Sequence, residues 1–254
     1  MVNEQIKLMS RLGLLGKDIE YSFSRNYFSK KFEAERLPYT YENFDLNNIS
    51  EFIQLLKRKP AITGLNVTIP YKEQVIPYLN TLDKKAKKIG AVNTITINAN
   101  GCLKGYNTDC YGFKKSIKPL LEKHHKRALI LGTGGASKAI AYTLKKLKIK
   151  FDYVSRSLKE NVKFTYDSLT LEDIKMYQVI INCTPIGTHP NTNACPNIPY
   201  DAITNQHLLY DLIYNPEETK FLKLGKLQGA KTINGHDMLV FQAEKAWRIW
   251  NSTF

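Results

Sequence analysis

The sequence predicts an α/β protein of two domains, because short apolar segments alternate with helical patterns in two successive parts of the chain. The run at residues 128–131 is continuously apolar, as is typical of a strand buried on both faces of a parallel sheet. A glycine-rich turn follows that run directly and opens a helical pattern. The length of 254 residues suits one large or two modest domains.

In the first part of the chain, apolar runs and turn residues predict strands that alternate with helices. Residues 91–98 and 102–106 flank Asn100-Gly101, which predicts a hairpin with a two-residue turn. Pro70 ends the strand before it. Helices between strands indicate a mainly parallel sheet. The other predicted strands are 12–16, 39–44 and 64–69, and the predicted helices are 27–36 and 49–57.

A second βαβ series begins near residue 127, after a boundary that the pattern places within residues 109–121. A helix over residues 136–146 follows the first strand of this series. The last predicted helix, residues 238–250, carries an apolar stripe that we interpret as core packing. The predicted strands are 128–131, 151–155, 179–182 and 208–212.

Composition excludes several classes of protein. The formal net charge of +14 is compatible with an anionic small ligand, and the scatter of the lysines favours a solvated surface over a nucleic-acid interface. The four cysteines form no C-x-x-C pair and no zinc spacing, so no metal site is predicted. No stretch approaches the ~20 apolar residues of a membrane span, and residues 1–11 lack a signal pattern, so we expect a cytoplasmic protein.

The turn at residues 132–137 has the composition of a dinucleotide-binding turn. Gly132 permits the tight turn after the strand, and Gly134 lets the backbone approach a pyrophosphate. The N-terminus of the following helix presents free N–H groups to that anion. Ser137 stands where the fingerprint has its third glycine, and it is still a small residue. The sequence therefore predicts a dinucleotide site here.

The end of the next strand indicates which dinucleotide is bound. An acidic residue there would bind the 2′-hydroxyl of NAD, whereas this strand ends in Ser155-Arg156-Ser157 with Lys159 close behind. Asp152 is acidic but lies near the start of the strand. A guanidinium between two hydroxyls suits a 2′-phosphate, because charge-assisted forked hydrogen bonds are strong. NADP is the predicted cofactor.

Five short polar motifs lie in the remainder of the chain, and each alone has a structural explanation such as a turn, a strand end or a helix start. They read Tyr-Ser-Phe-Ser at 21–24, Asn-Val-Thr-Ile-Pro-Tyr-Lys at 66–72, Ala-Val-Asn-Thr at 91–94, Asn-Thr-Asp at 107–109 and Asn-Gly-His-Asp-Met-Leu-Val-Phe-Gln-Ala at 234–243. Together and in this order they resemble the shikimate dehydrogenase family. The resemblance covers residues 12–250, and the second and fourth motifs are its most specific parts.

The resemblance implies an N-terminal α/β domain with a mainly parallel sheet that binds shikimate, at residues 1–109. It implies a Rossmann-like NADP-binding domain at 110–235, and a C-terminal helix, 236–254, that returns to the first domain. The implied activity is reduction of 3-dehydroshikimate to shikimate with NADPH, by a monomer or homodimer. The residues that would hold the cofactor are Gly132, Thr133, Gly134, Gly135, Ala136, Ser155, Arg156, Ser157, Lys159, Leu212 and Gly235.

The same resemblance implies a substrate site of polar side chains. Ser22, Ser24 and Thr68 would bind the substrate carboxylate, while Asn93 and Gln242 would bind ring hydroxyls. The full implied set is Ser22, Ser24, Thr68, Lys72, Asn93, Asp109, Tyr214 and Gln242.

Lys72 and Asp109 match the catalytic residues of the family. Hydride addition to a ketone creates negative charge on oxygen, which needs electrostatic stabilisation and a proton. A lysine ammonium supplies both, and a neighbouring carboxylate would hold it in place. In the oxidative direction the neutral amine would be the base.

Two departures and two rival interpretations accompany the resemblance. The family often has histidine before the serine pair and proline after it, where this chain has Tyr21 and Arg25. One rival is an NAD-dependent quinate/shikimate dehydrogenase, which an acid in place of Arg156 would favour. The other is a basic nucleic-acid-binding protein on a dinucleotide fold without catalysis. The presence of Lys72, Asp109 and Gln242 argues against it.

Overall fold

The computed structural model describes residues 10–20, 22–58 and 60–252. Its internal contacts divide the chain into two units. The first runs up to Thr108 and includes the chain from Ala243 onward, and the second is Asp109–Gln242.

The first unit is built on a six-stranded sheet whose order is β2-β1-β3-β5-β6-β4. Strand β1 is parallel to β2 and β3, β5 is antiparallel to both β3 and β6, and β4 is parallel to β6. The sheet is therefore parallel in the half that contains β1 and mixed in the other half, where the hairpin joins it. The strands are β1 (Ser10–Gly16), β2 (Tyr39–Asp45), β3 (Ile62–Val67), β4 (Thr81–Leu82), β5 (Thr94–Ile97) and β6 (Leu103–Tyr106).

The first helix of this unit begins at a side-chain cap. Helix α1 begins at Phe23, four residues before the predicted start, because the Ser22 side chain accepts the Arg25 N–H and caps it. The predicted helix 49–57 is a 3₁₀ turn, Ile49–Glu51, followed by a short α-helix. The four helices are α1 (Phe23–Ala34), α2 (Phe52–Leu56), α3 (Tyr71–Gln74) and α4 (Lys84–Ile89).

The hairpin of β5 and β6 is present, but the prediction of a two-residue turn was wrong. Asn98 N–H donates to Cys102 O at 3.2 Å, so three residues lie in the loop. A two-residue type I′ turn needs positive φ at both central positions, and here Gly101 has φ +75° while Asn100 is not in that region. The Asn98 side chain instead accepts the N–H groups of Asn100 and Cys102.

The second unit has a fully parallel six-stranded sheet in the order β12-β11-β10-β7-β8-β9. Read from its far edge this is the 3-2-1-4-5-6 order of a Rossmann fold, so the predicted fold class is confirmed. The strands are β7 (Arg127–Leu131), β8 (Lys150–Ser155), β9 (Val162–Thr165), β10 (Val179–Asn182), β11 (Leu208–Asp211) and β12 (Lys231–Ile233). The sequence pattern did not predict β9 or β12.

The helices of this unit are α5 (Asp109–Ile117), α6 (Gly135–Lys146), α7 (Leu171–Met176), α8 (Lys220–Leu227) and the last helix, α9 (His236–Asn251). Strands β8 and β9 are joined by six residues, 156–161, without a helix, although a parallel crossover usually takes a dozen or more. The β9 strand pairs only with the final part of β8, so the chain has a short distance to return.

Helix α9 continues from the second unit into the first at Ala243. From there it packs Trp247 and Trp250 into the core beneath α1, against Phe28 and Phe32. The indole N–H of Trp250 donates to Ile95 O at 3.0 Å. The predicted return of the C-terminal helix to the first domain is confirmed. Within the described ranges, no helix combines the length and the apolar character that a membrane span needs.

Candidate active site

Five of the predicted substrate residues belong to the first unit and lie at one edge of its sheet. Ser22 and Ser24 follow the end of β1, and Thr68 and Lys72 follow the end of β3. Asn93 directly precedes β5, which runs antiparallel to β3, so the start of β5 lies beside the end of β3. Ligands of open α/β sheets bind outside the carboxyl ends of the parallel strands. The topology therefore brings these five residues to the edge where such a ligand binds.

The serine pair lies at the N-terminus of α1. The oxygen of Ser22 accepts the Arg25 N–H at 3.2 Å, which leaves the Ser22 hydroxyl proton for another acceptor. Ser24 lies in the first turn of α1 and is half-buried. A helix N-terminus favours a carboxylate, because its free N–H groups and the helix dipole both attract negative charge. Tyr21 lies outside the described residues, and Arg25 is exposed.

Backbone hydrogen bonds from two sides hold the segment that carries Thr68 and Lys72. Thr68 N–H donates to Leu15 O at 2.9 Å, and the Lys72 carbonyl accepts Val92 N–H at 2.7 Å. The Tyr71 N–H closes the turn onto Thr68 O at 2.9 Å, and α3 begins there. The side chains of Thr68 and Lys72 are half-buried. The backbone of the proposed catalytic lysine is thus fixed by the sheet.

Asn93 is buried, and its side chain takes part in a polar cluster. Its Oδ1 accepts the Thr108 N–H at 2.7 Å, and its Nδ2 donates to Thr108 Oγ1 at 3.0 Å. Asn107 donates from its side chain to Ala91 O at 3.0 Å. These bonds connect the start of β5 to the chain just before α5 and orient the Asn93 amide.

The other three predicted substrate residues belong to the second unit. Asp109 opens α5 and is 1% exposed. Gln242 lies on α9, which runs close to α5 at Gly112, where an added Cβ would lie 3.2 Å from Gln242 Cβ. Tyr214 is half-buried in the loop after β11. Asp109 and Gln242 are therefore carried by two neighbouring helices.

The glycine turn at the end of β7 has the geometry of a phosphate-binding turn. Gly132 has φ +98°, and a Cβ there would lie 2.9 Å from Thr184 Cγ2. Gly134 is the N-cap of α6 and has no side-chain cap, and a Cβ there would have no described atom within 4 Å. The Ser137 hydroxyl and the Ser137 N–H both donate to Gly134 O, at 2.6 and 3.0 Å. Because α6 has no side-chain cap, N–H groups at its start can bind an anion, so the turn fits a pyrophosphate.

Alanine substitutions should separate the roles of these two glycines. Gly134→Ala should lower stability by less than about 1 kcal/mol, because space for a methyl exists and only the capping preference changes. It should nevertheless weaken NADP binding at least about tenfold, because the methyl occupies the approach of the pyrophosphate. Gly132→Ala should lower the melting temperature more, because its φ is strained for alanine. Thermal unfolding and fluorescence titration measure both, and normal NADP affinity in Gly134→Ala would contradict the assignment.

The end of β8 carries the residues predicted to select NADP. Ser155 ends the strand, and Arg156, Ser157 and Lys159 are exposed on the loop that follows. Asp152, the acidic residue of this strand, is engaged elsewhere: it accepts the Tyr177 hydroxyl at 2.5 Å and lies 3.5 Å from Lys163 Nζ. In this loop the exposed cations fit a 2′-phosphate.

Leu212 and Gly235, both among the predicted cofactor residues, are brought together by the structure. Gly235 N–H donates to Ile213 O at 2.9 Å, and a Cβ on Gly235 would lie 2.1 Å from Leu212 O. No residue other than glycine fits there without moving the backbone. Leu212 N–H donates to Asn182 O at 3.0 Å, which fixes this loop to the end of β10.

The sequence analysis missed one buried polar group, which lies at the carboxyl end of β11 in the second unit. Asp211, the last residue of β11, is fully buried and accepts hydrogen bonds from Asn182 Nδ2, Ile213 N and Thr219 Oγ1 at 3.1, 3.0 and 2.7 Å. Asn182 Oδ1 in turn accepts from the Thr184 hydroxyl at 2.7 Å. Both residues end continuously apolar strands, and that position was the signal that could have identified them.

Burial raises the pKa of Asp211 from 3.8 to about 6. The folded protein then holds a proton that the unfolded chain has lost between pH 4 and 6, so this group lowers stability as pH rises through that range. Two pKa units correspond to ~3 kcal/mol. Between pH 4 and 6, the free energy of unfolding of the wild type should fall by ~3 kcal/mol relative to that of Asp211→Asn. Urea unfolding at several pH values measures it, and parallel profiles would contradict it.

No cluster of three or more potential metal ligands occurs among the His, Cys, Asp and Glu residues of the described ranges. All four cysteines are free thiols.

Comparisons of the sequence and of the structure with known proteins identify one family. Residues 14–95 match the model of the shikimate dehydrogenase substrate binding domain. The chain is 40% identical over 269 residues to shikimate dehydrogenase (NADP(+)) of Methanococcus maripaludis, covering 98% of this chain and 93% of the relative.

Two crystal structures have a TM-score of 0.84 to this chain. One is a shikimate dehydrogenase in complex with NADP+, 34% identical, with 99% of this chain and 92% of that chain covered. The other is shikimate 5-dehydrogenase from Thermus thermophilus in complex with NADP(H) and shikimate, 28% identical, with 96% and 94% covered. On this likeness over its whole length, the chain belongs to the shikimate dehydrogenase family.

Proposed function

We propose that this protein catalyses the reversible, NADP-dependent interconversion of 3-dehydroshikimate and shikimate. The observation that carries the proposal is the 40% identity, across 98% of the chain, to a protein named shikimate dehydrogenase (NADP(+)). The exposed Arg156 at the end of β8, where an NAD enzyme has an acid, supports NADP over NAD.

The two units have separate tasks in this proposal. The first unit binds shikimate at the edge where Ser22, Thr68 and Asn93 lie, and the second binds the cofactor at the ends of β7, β8 and β11. The N–H groups at the start of α6 hold the pyrophosphate, and Arg156 holds the 2′-phosphate. When bound, NADPH supplies the hydride and NADP+ accepts it.

Lys72 and Asp109 carry the proton chemistry in this proposal. During reduction the substrate carbonyl oxygen becomes negative, and the Lys72 ammonium stabilises that charge and donates the proton. Asp109 keeps Lys72 positioned and binds a ring hydroxyl. During oxidation the neutral Lys72 amine accepts the hydroxyl proton. Asn93, Gln242 and Tyr214 hold the ring in the orientation that the reaction needs.

The serine pair should act on substrate binding alone. Ser22→Ala and Ser24→Ala should raise the KM for shikimate more than they lower kcat, because the carboxylate they bind is unchanged during the reaction. Ser22→Ala should also cost ~1 kcal/mol of stability, since it removes the cap of α1. Steady-state kinetics and thermal unfolding measure these effects. A kcat defect at normal KM would exclude the binding role.

The proposed function is tested by steady-state kinetics of the purified protein with shikimate and quinate, each with NADP+ and NAD+. Production of NADPH with shikimate, at the highest kcat/KM of the four combinations, is the expected result. Preference for quinate and NAD+ would assign the catabolic activity instead. Absence of all four activities, together with a mobility shift on nucleic acid, would overturn the proposal in favour of a binding protein.

A further inference from the structure

A buried chain of hydrogen bonds crosses the first unit beneath the proposed shikimate site. The Tyr41 hydroxyl on β2 donates to Asn66 Oδ1 on β3 at 2.8 Å. Asn66 Nδ2 donates to Asn93 O at 3.2 Å and to Thr94 Oγ1 at 3.3 Å. The Thr94 hydroxyl donates to Asn93 Oδ1 at 3.1 Å. We refer to Tyr41, Asn66 and Thr94 as the relay.

The donors and acceptors of the relay determine its orientation. Both protons of the Asn66 amide are used on oxygen acceptors, so its oxygen must face Tyr41, and Tyr41 must be the donor there. A flipped Asn66 amide would place its oxygen against Asn93 O. The relay thus reaches Asn93, a proposed substrate residue, at one of its ends.

Formation of the relay requires three polar side chains to be buried. Tyr41 is 6% exposed, Asn66 9% and Thr94 fully buried. Three apolar side chains would fill the same volume without needing hydrogen-bond partners. In the relay, by contrast, a buried polar group left without a partner would lower stability. Side-chain networks of this kind rigidify the groups they connect. We propose that Tyr41 and Thr94 are positioning residues for shikimate binding: Tyr41 acts on Asn93 through Asn66, and Thr94 acts on Asn93 directly. This inference rests on the proposed function.

The test compares Tyr41→Phe with Tyr71→Phe. Tyr71 is equally buried in this unit, and its hydroxyl donates to Leu46 O at 2.6 Å, outside the relay. Tyr41→Phe should raise the KM for shikimate about three- to tenfold, which corresponds to one lost hydrogen bond, with kcat within about twofold and the KM for NADP+ unchanged. Tyr71→Phe should lose comparable thermal stability with the KM for shikimate changed less than about twofold.

A second variant interrupts the relay on another strand. Thr94→Val keeps the shape of the side chain and removes the hydroxyl between Asn66 and Asn93, so it should also raise the KM for shikimate. In an Asn93→Ala background, Tyr41→Phe should add much less than it does alone, because its main target is gone. Equal KM values for Tyr41→Phe and Tyr71→Phe, or strictly multiplicative losses with Asn93→Ala, would overturn the inference. A wild-type enzyme without shikimate-dependent NADPH production would instead overturn the proposed function.

Discussion

Replacement of Lys72 by alanine should reduce kcat by about 10²–10⁴-fold, the usual cost of losing a positioned acid or base. The KM for shikimate should change little, because the ammonium acts mainly on charge that develops in the transition state. Folding should be intact, since the backbone of Lys72 keeps its hydrogen bond to Val92 and the side chain is only half-buried. A variant with more than about a tenth of the wild-type kcat would remove Lys72 from the mechanism.

Asp109 extends this test into a double-mutant cycle, which comprises the wild type, Lys72→Ala, Asp109→Asn and the double variant. Asp109→Asn should also impair kcat, because Lys72 loses its positioning partner and the substrate loses a hydroxyl contact. If the two residues act as a unit, the double variant is far less impaired than the product of the single losses predicts. NADP affinity, measured by fluorescence quenching, should be preserved in all variants and serves as the folding control. Strictly multiplicative losses would separate the two residues.

Arg156→Asp should weaken NADP binding by a few kcal/mol, which is about a hundredfold or more in KM. The loss combines a charge-assisted hydrogen bond with repulsion between the new carboxylate and the 2′-phosphate. Activity with NAD should stay the same or rise, because NAD has a hydroxyl at that position, which an acid binds.

Lys150→Asp is the matched control for Arg156→Asp. Lys150 begins the same strand that Ser155 ends, is also exposed, and its substitution changes the net charge equally. It should leave the KM for both cofactors within about twofold at about 0.15 M salt, because screening removes most charge effects beyond about 8 Å. Equal losses in the two variants would attribute NADP preference to net charge and not to Arg156.

Much of the second unit was accessible from the sequence because its signals are local. Strand β10 was predicted with its observed bounds, since a short continuous apolar run is typical of a strand buried on both faces of a parallel sheet. The turn from Gly132 to Gly135 was recognised because its glycine pattern is also local in the sequence. Strands β9 and β12 were missed because they lie at the edges of the sheet, where half-exposed side chains interrupt the apolar pattern.

The fold class, the two α/β parts and the candidate residues were determined by the sequence alone, because periodicity and short motifs are properties of neighbouring residues. The relay from Tyr41 to Asn93, the burial of Asp211 and the proximity of Leu212 to Gly235 were decided only by the tertiary structure. In the relay, Tyr41 and Asn66 are 25 residues apart in the chain and lie on different strands of one sheet. Strand order brings such residues together, and the local pattern of either strand does not encode it.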